Sequence, residues 1–180
     1  MNVTVEPPAF SIVAYDPGRI AAVATEIAVL AGLPDDVRIE VVVDEENPFG
    51  KASTVVAGKS VTIAVESGAF EDPQRLRHFS EENTRLVLGR LLFRVADRLN
   101  PAFGDPPPDH ELTPAEHTAW DAYAVGRYTR KADVDGGLGR RRYAFRIRHG
   151  FSDAADRAFD RLWSASDLSW ADILAVCAVT

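Results

Sequence analysis

The sequence predicts an α+β fold, because β-branched alternating segments crowd residues 9–66, helical periodicity fills the later half, and one almost wholly apolar helix lies between them. A doubly wound parallel sheet would interleave strand and helix patterns along the whole chain, and here they are segregated. With 180 residues, 46% of them hydrophobic and 26% charged, the chain can bury one substantial core, so a single domain over 1–180 is expected.

After a proline-bearing lead-in, Phe10 to Ala14 reads as the first strand. Asp16-Pro17 then supplies a helix cap with proline at the first helical position, and Ile20, Val23, Ile27 and Leu30 recur at three- and four-residue intervals up to the stop at Gly32-Leu33-Pro34. Arg38 to Val43 is β-branched and partly alternating. Thr54–Val56 and Val61–Val65 flank Ala57-Gly58-Lys59-Ser60, a loop length suited to a hairpin. The order is therefore β-α-β-β-β, a mixed sheet crossed by one helix. Helical patterns follow over 80–98, 113–129, 152–163 and 169–179, the first predicted to pack on the sheet as the core helix. The proline-rich stretch from Pro101 to Leu112 reads as a stiff surface connection.

Composition narrows the function classes. No apolar run is long enough to span a membrane, and the start of the chain has no basic segment followed by an apolar one, so a cytoplasmic protein is expected. A net charge of −7 opposes nucleic acid as a partner of the whole molecule. The single cysteine, Cys177, lies in an apolar run and reads as a small core residue. His78, His110, His117 and His149 form no HxxxH or HxH pair, and no metal site or other cofactor is expected. Asp133-Val134-Asp135-Gly136-Gly137 has the start of a calcium loop without its later ligands and reads as a turn.

The candidate chemistry starts in the apolar helix. Arg90, Arg94 and Asp97 stand at i, i+4 and i+7, hence on one face, while Leu88, Leu92, Val95 and Leu99 line another. A guanidinium in such a setting needs a carboxylate, and Asp97, Glu116 and Asp121 are the candidate partners. Glu116, Trp120, Tyr123 and Arg127 form a matching stripe on the next helix. The six residues Arg90, Arg94, Asp97, Glu116, Asp121 and Arg127 thus make either an ion-pair network that fixes how helices dock or a polar pocket. Glu116 has a competing role, since Thr113-Pro114-Ala115-Glu116 spells a capping box.

The element order β-α-β-β-β followed by a central apolar helix resembles the minimal zincin-like, metallopeptidase-like domain. That resemblance implies an HExxH motif on the helix. The matching window here is Arg90-Leu91-Leu92-Phe93-Arg94, with arginine at both zinc-ligand positions and leucine at the general-base position. Arginine does not ligate Zn²⁺ and leucine does not activate water, so the resemblance implies a relative that has lost its metal. Glu116 falls where some zincins place a third ligand. Gly89-Arg90-Leu91-Leu92 and Trp120-Asp121-Ala122-Tyr123 also resemble a bacterial family with no assigned activity.

One stretch stands out against the acidic whole. Residues 140–148 carry five arginines, and removing their +5 from the chain's −7 leaves −12 elsewhere. Tyr143, Phe145 and Ile147 alternate with Arg142, Arg146 and Arg148, which predicts a basic strand. Those three arginines are candidate anion-binding residues, for a small anionic molecule or a protein partner. The reading as a whole is a non-catalytic binding or interaction protein on a zincin-like scaffold. The alternatives are a hydrolase built on the Arg/Asp/Glu cluster and a metal-dependent hydrolase of the metallopeptidase type.

Overall fold

The structure, a computed structural model, describes residues 1–179 and is mixed α+β. It divides into two compact units, residues 1–95 and residues from 96 onward.

The first unit is built on a four-stranded sheet of order β1-β2-β4-β3. Strands β1 (Asn2–Glu6), β2 (Arg38–Asp44) and β4 (Ser60–Glu66) run parallel, and β3 (Ala52–Ala57) closes one edge antiparallel to β4. Helix α1 (Pro17–Ala31) makes the crossover from β1 to β2. Asp16 caps it by accepting from the Gly18 and Arg19 N–H groups at 2.8 and 3.2 Å, and Gly32, left-handed at φ 80°, ends it. Strict alternation puts Ile39, Val41 and Val43 of β2 and Val61, Ile63 and Val65 of β4 into the core, where Ile20, Val23 and Ile27 of α1 are also buried. The hairpin between β3 and β4 turns on two residues, Gly58 and Lys59, with Gly58 at φ 58°.

The expected order is present, but its first strand is elsewhere. Phe10 to Ala14 is not a strand; β1 is Asn2–Glu6, and Ala14 makes only an isolated bridge to His78. The reason is a tertiary contact. The Ser11 and Ile12 N–H groups, which a ladder would use, donate to the Glu45 carboxylate at 2.8 and 2.7 Å, while Val3 and Val5 turn to the inner face beside β2. A small hairpin of β5 (Glu71–Asp72) and β6 (Arg75–Phe79), absent from the sequence reading, leads into α2 (Glu81–Leu99).

Helix α2 is the apolar helix of the sequence, and Leu88, Leu91, Leu92 and Val95 are buried as expected. Ion pairs tie its first turns to α1, Arg19 to Glu81 at 2.6 Å and Arg85 to Glu26 at 2.7 Å, and within α2 Arg85 also meets Glu81 at 3.0 Å. Hydrogen bonds from these arginines hold the Glu26 and Glu81 carboxyls below the usual range. The border between the two units falls within α2.

The second unit is helical: α3 (Pro114–Ala132), α4 (Leu138–His149), α5 (Asp153–Ser164) and α6 (Trp170–Val179). Its core is aromatic, with Phe103, Trp120, Tyr123, Phe145, Phe159 and Trp170 buried in one cluster with Leu162 and Ile173. The anticipated basic strand is here corrected to a helix. Residues 138–149 form α4, because Arg142 and Arg146, one turn apart, reach Asp160 and Asp156 of α5, while Phe145 and His149, also one turn apart, are buried. Asp133 to Gly137 is the expected turn: Asp133 is left-handed at φ 52° and Asp135 accepts from the Gly137 N–H at 2.8 Å. No helix among the described residues is long and apolar enough to cross a membrane.

Candidate functional site

A cleft of about 570 Å³ lies in the first unit, at the outer end of the sheet beside β3. Its floor is one rung of the sheet: Val42 of β2 pairs with Ala64 of β4, which pairs with Ser53 of β3. These residues belong to the face opposite Ile63 and Val41, so the alternation that buries the core also opens the cleft. Lys51 stands at the β3 side, and Arg90 of α2 contributes a second cation.

Asp44 and Glu66, paired in register at the ends of β2 and β4, also line the cleft. Both spend hydrogen-bonding capacity on the connection from β2 to β3. Asp44 accepts from the Glu46 and Asn47 N–H groups at 3.1 and 3.3 Å. Glu66 accepts from the Asn47 side-chain amide and the Lys51 N–H, both at 3.0 Å. Ser67 adds two bonds to the Asn47 carbonyl, at 3.0 Å from its N–H and 2.9 Å from its hydroxyl. Gly68 lets the loop seat closely, since a Cβ there would overlap the Pro48 carbonyl. This scaffolding presents Phe49, 67% exposed, next to the cleft-lining Gly50. In the sequence Asn47-Pro48-Phe49-Gly50 reads as a turn leading away from the Arg38–Val43 strand, and its place beside a cleft was not foreseen; the signal available was acidic residues closing two neighbouring strands around it.

The arginine and carboxylate candidates are distributed over several environments. Arg90 lines the cleft and Arg94 is fully buried. In the second unit, Asp97, 3% exposed, accepts from the Arg127 guanidinium at 2.6 Å and from the Trp120 indole N–H at 2.7 Å, and Arg127 lies over the Tyr123 ring at 3.9 Å. Asp97 and Arg127 are therefore one buried, hydrogen-bonded pair. Glu116 takes the capping role, accepting from the Thr113 N–H at 2.7 Å and its hydroxyl at 2.9 Å while the Glu116 N–H donates to the Thr113 hydroxyl oxygen at 3.2 Å. Asp121 stands 3.9 Å from the His117 ring nitrogen on the same helix.

Arg98 continues the stripe begun by Arg90 and Arg94 at i+8, yet the sequence reading passed over it. Its guanidinium donates to the Pro106 and Pro107 carbonyls at 3.0 and 2.8 Å and to Asp109 at 2.8 Å, and it lies 4.8 Å from the Trp120 ring. The stiff proline stretch is thus held down by an arginine, and the four-residue period was the signal that could have found it.

Of the anion-binding candidates, Arg142 and Arg146 bind Asp160 and Asp156, the latter pair at 2.5 Å, and only Arg148 is left to solvent. Cys177 is half-buried against the aromatic core, and burial pushes its thiol up to about 11, which keeps it protonated and unreactive at neutral pH. Among the described residues no group of three or more His, Cys, Asp or Glu side chains converges in a way that could hold a metal ion. No family model matches the chain, and neither does any curated protein or solved structure.

Proposed function

We propose that this chain is a non-catalytic binding protein, built on a zincin-like scaffold that has lost its metal ligands, and that it takes an extended polypeptide segment along β3 above the cleft. The position of the cleft carries the reading: it adjoins the end strand of the sheet, beside a loop whose hydrogen bonds keep an aromatic ring in solvent. Sheet edges are ordinarily blunted by lysine, proline or inward charge, and Ala52-Ser53-Thr54-Val55-Val56-Ala57 has none of these. Such an edge is the template for adding a strand from a partner, with main-chain bonds giving affinity and the cleft selecting side chains. The burial of Arg94 and Asp97, and the use of Glu116 as a cap, support a structural role for these groups over a catalytic one.

Peptides selected from a random library on the immobilised protein provide the test. They are expected to bind wild type and to lose at least about tenfold in affinity when Ala64→Trp fills the floor or Phe49→Ala removes the exposed ring. Thermal unfolding should show both variants folded. Failure to select any peptide, or affinities indifferent to both substitutions, would refute peptide binding in the cleft. The same preparation should hold no stoichiometric zinc and show no chelator-sensitive peptidase activity. One tightly held Zn²⁺ per chain would overturn the non-catalytic reading.

A further inference from the structure

Helix α4 buries Phe145 and His149 and turns a different kind of surface outward. Tyr143, Ile147 and Phe151, spaced four residues apart, are 58, 52 and 67% exposed. Phe151 lies just beyond the helix end, and its ring meets Tyr143 edge-on with centroids 6.0 Å apart, so two of the three are already packed together. Exposed apolar residues are ordinary when scattered, but a contiguous aromatic and aliphatic stripe marks an interaction site.

The arginines of the same helix divide by face. Arg142 and Arg146 are neutralised by Asp160 and Asp156, and Arg141 donates through Nε to the Gly136 carbonyl at 2.9 Å. Arg140 and Arg148 are exposed, Arg140 about one turn before Tyr143 and Arg148 beside the stripe between Ile147 and Phe151, and neither has a carboxylate partner among the described residues. Eight residues of helix set them about 12 Å apart along the axis. In a chain of net charge −7, two unneutralised cations beside an apolar stripe are a local inversion of charge.

We infer that the exposed face of α4 is a docking surface for an acidic amphipathic segment of another protein, whose apolar side chains cover Tyr143, Ile147 and Phe151 and whose carboxylates meet Arg140 and Arg148. Tyrosine, phenylalanine and arginine are the residue types enriched where protein partners bind. Charge complementarity decides against the other occupants. Two copies joined through this face would set arginines against arginines. An anionic bilayer would gain about 1 kcal/mol for each of two arginines while facing a molecule of net charge −7. Nucleic acid would find two phosphate contacts and the same repulsion.

The test uses the full chain and a fluorescent probe peptide with leucines at helical spacing flanked by glutamates, together with a copy in which lysines replace the glutamates. The acidic probe is expected to bind, and the lysine copy to bind at least about tenfold more weakly. Tyr143→Ala and Ile147→Ala should each weaken the acidic probe by about tenfold without changing the unfolding temperature, because both side chains are exposed. The double variant Arg140→Glu with Arg148→Glu should reverse the preference toward the lysine probe. Equal binding of the two probes, or no binding of either, overturns the inference. So does preferential binding to phosphatidylserine vesicles or to single-stranded DNA, and so does self-association that Tyr143→Ala abolishes.

Discussion

Asp97 shows how one residue can be read as chemistry and serve as structure. Its carboxylate is 3% exposed and holds both the Arg127 guanidinium and the Trp120 indole. Removing it strands a cation beside the aromatic core, so Asp97→Ala should lose roughly 3–5 kcal/mol in urea unfolding, and adding Arg127→Met should recover part of the loss. A loss below about 1 kcal/mol, the level of exposed pairs, would contradict a structural role. His149 is the second such residue. It is 4% exposed, stacks on Phe145 with centroids 3.8 Å apart, and bonds through Nε2 to the Ala115 carbonyl at 3.0 Å. Burial pulls its pKa below the ordinary histidine value. The unfolded chain therefore binds the proton first as pH falls. The stabilising effect of neutral His149 is complete above about pH 6.5 and is lost below that, down through the lowered folded-state value. Unfolding temperature should decline over that window in wild type, and the decline should be absent from His149→Leu.

At the scale of elements, α3 and α5 lie close because Gly126 leaves room: a Cβ there would overlap the Trp163 carbonyl. In an exposed helix interior, glycine to alanine gains about 1 kcal/mol. Here Gly126→Ala should instead cost about 1–3 kcal/mol by forcing α5 away, and a thermal melt that rises would refute the close approach. Element ends were legible where a side chain caps its own helix. Asp16, Thr113 and Ser152 each accept from backbone N–H groups of the first turn, and each was readable as a short polar residue before an apolar period. Helix α4 was not legible. Tyr143, Phe145 and Ile147 alternate as a strand would, and only the acidic face of α5 makes the helical arrangement of Arg142 and Arg146 favourable. The same holds for the first strand: the apolar run 10–14 reads as a strand in the sequence, and only the distant Glu45 takes its N–H groups out of a ladder.

For the molecule as a whole, acid should act in two stages. Glu26 and Glu81 in the first unit, and Asp156 and Asp172 in the second, are held below the ordinary carboxylate range by arginine and serine partners. Groups with depressed values contribute stability above about pH 4 that is lost as pH falls through their folded values. A profile of unfolding temperature against pH should therefore show the histidine decline first and a steeper one in the carboxylate range. Added salt should weaken the lower stage, because these pairs are largely exposed. A single decline confined to the carboxylate range would refute the buried histidine contribution.

What the sequence by itself determined rests on neighbours along the chain: the α+β character, the extents of α1, α2, α3, α5 and α6 to within a few residues, the hairpin at Gly58-Lys59, the capping box, and the burial of Leu88 and Leu92. Periodicity and caps act over one or two turns, and their physics is complete within that span. Tertiary structure alone decided where the candidate groups went. Arg90 reached a cleft whose floor comes from three strands, Asp97 found Arg127 thirty residues away, and Arg142 and Arg146 were neutralised by the next helix. A charge declares its need for a partner in the sequence, but which partner meets it depends on packing that no local pattern encodes.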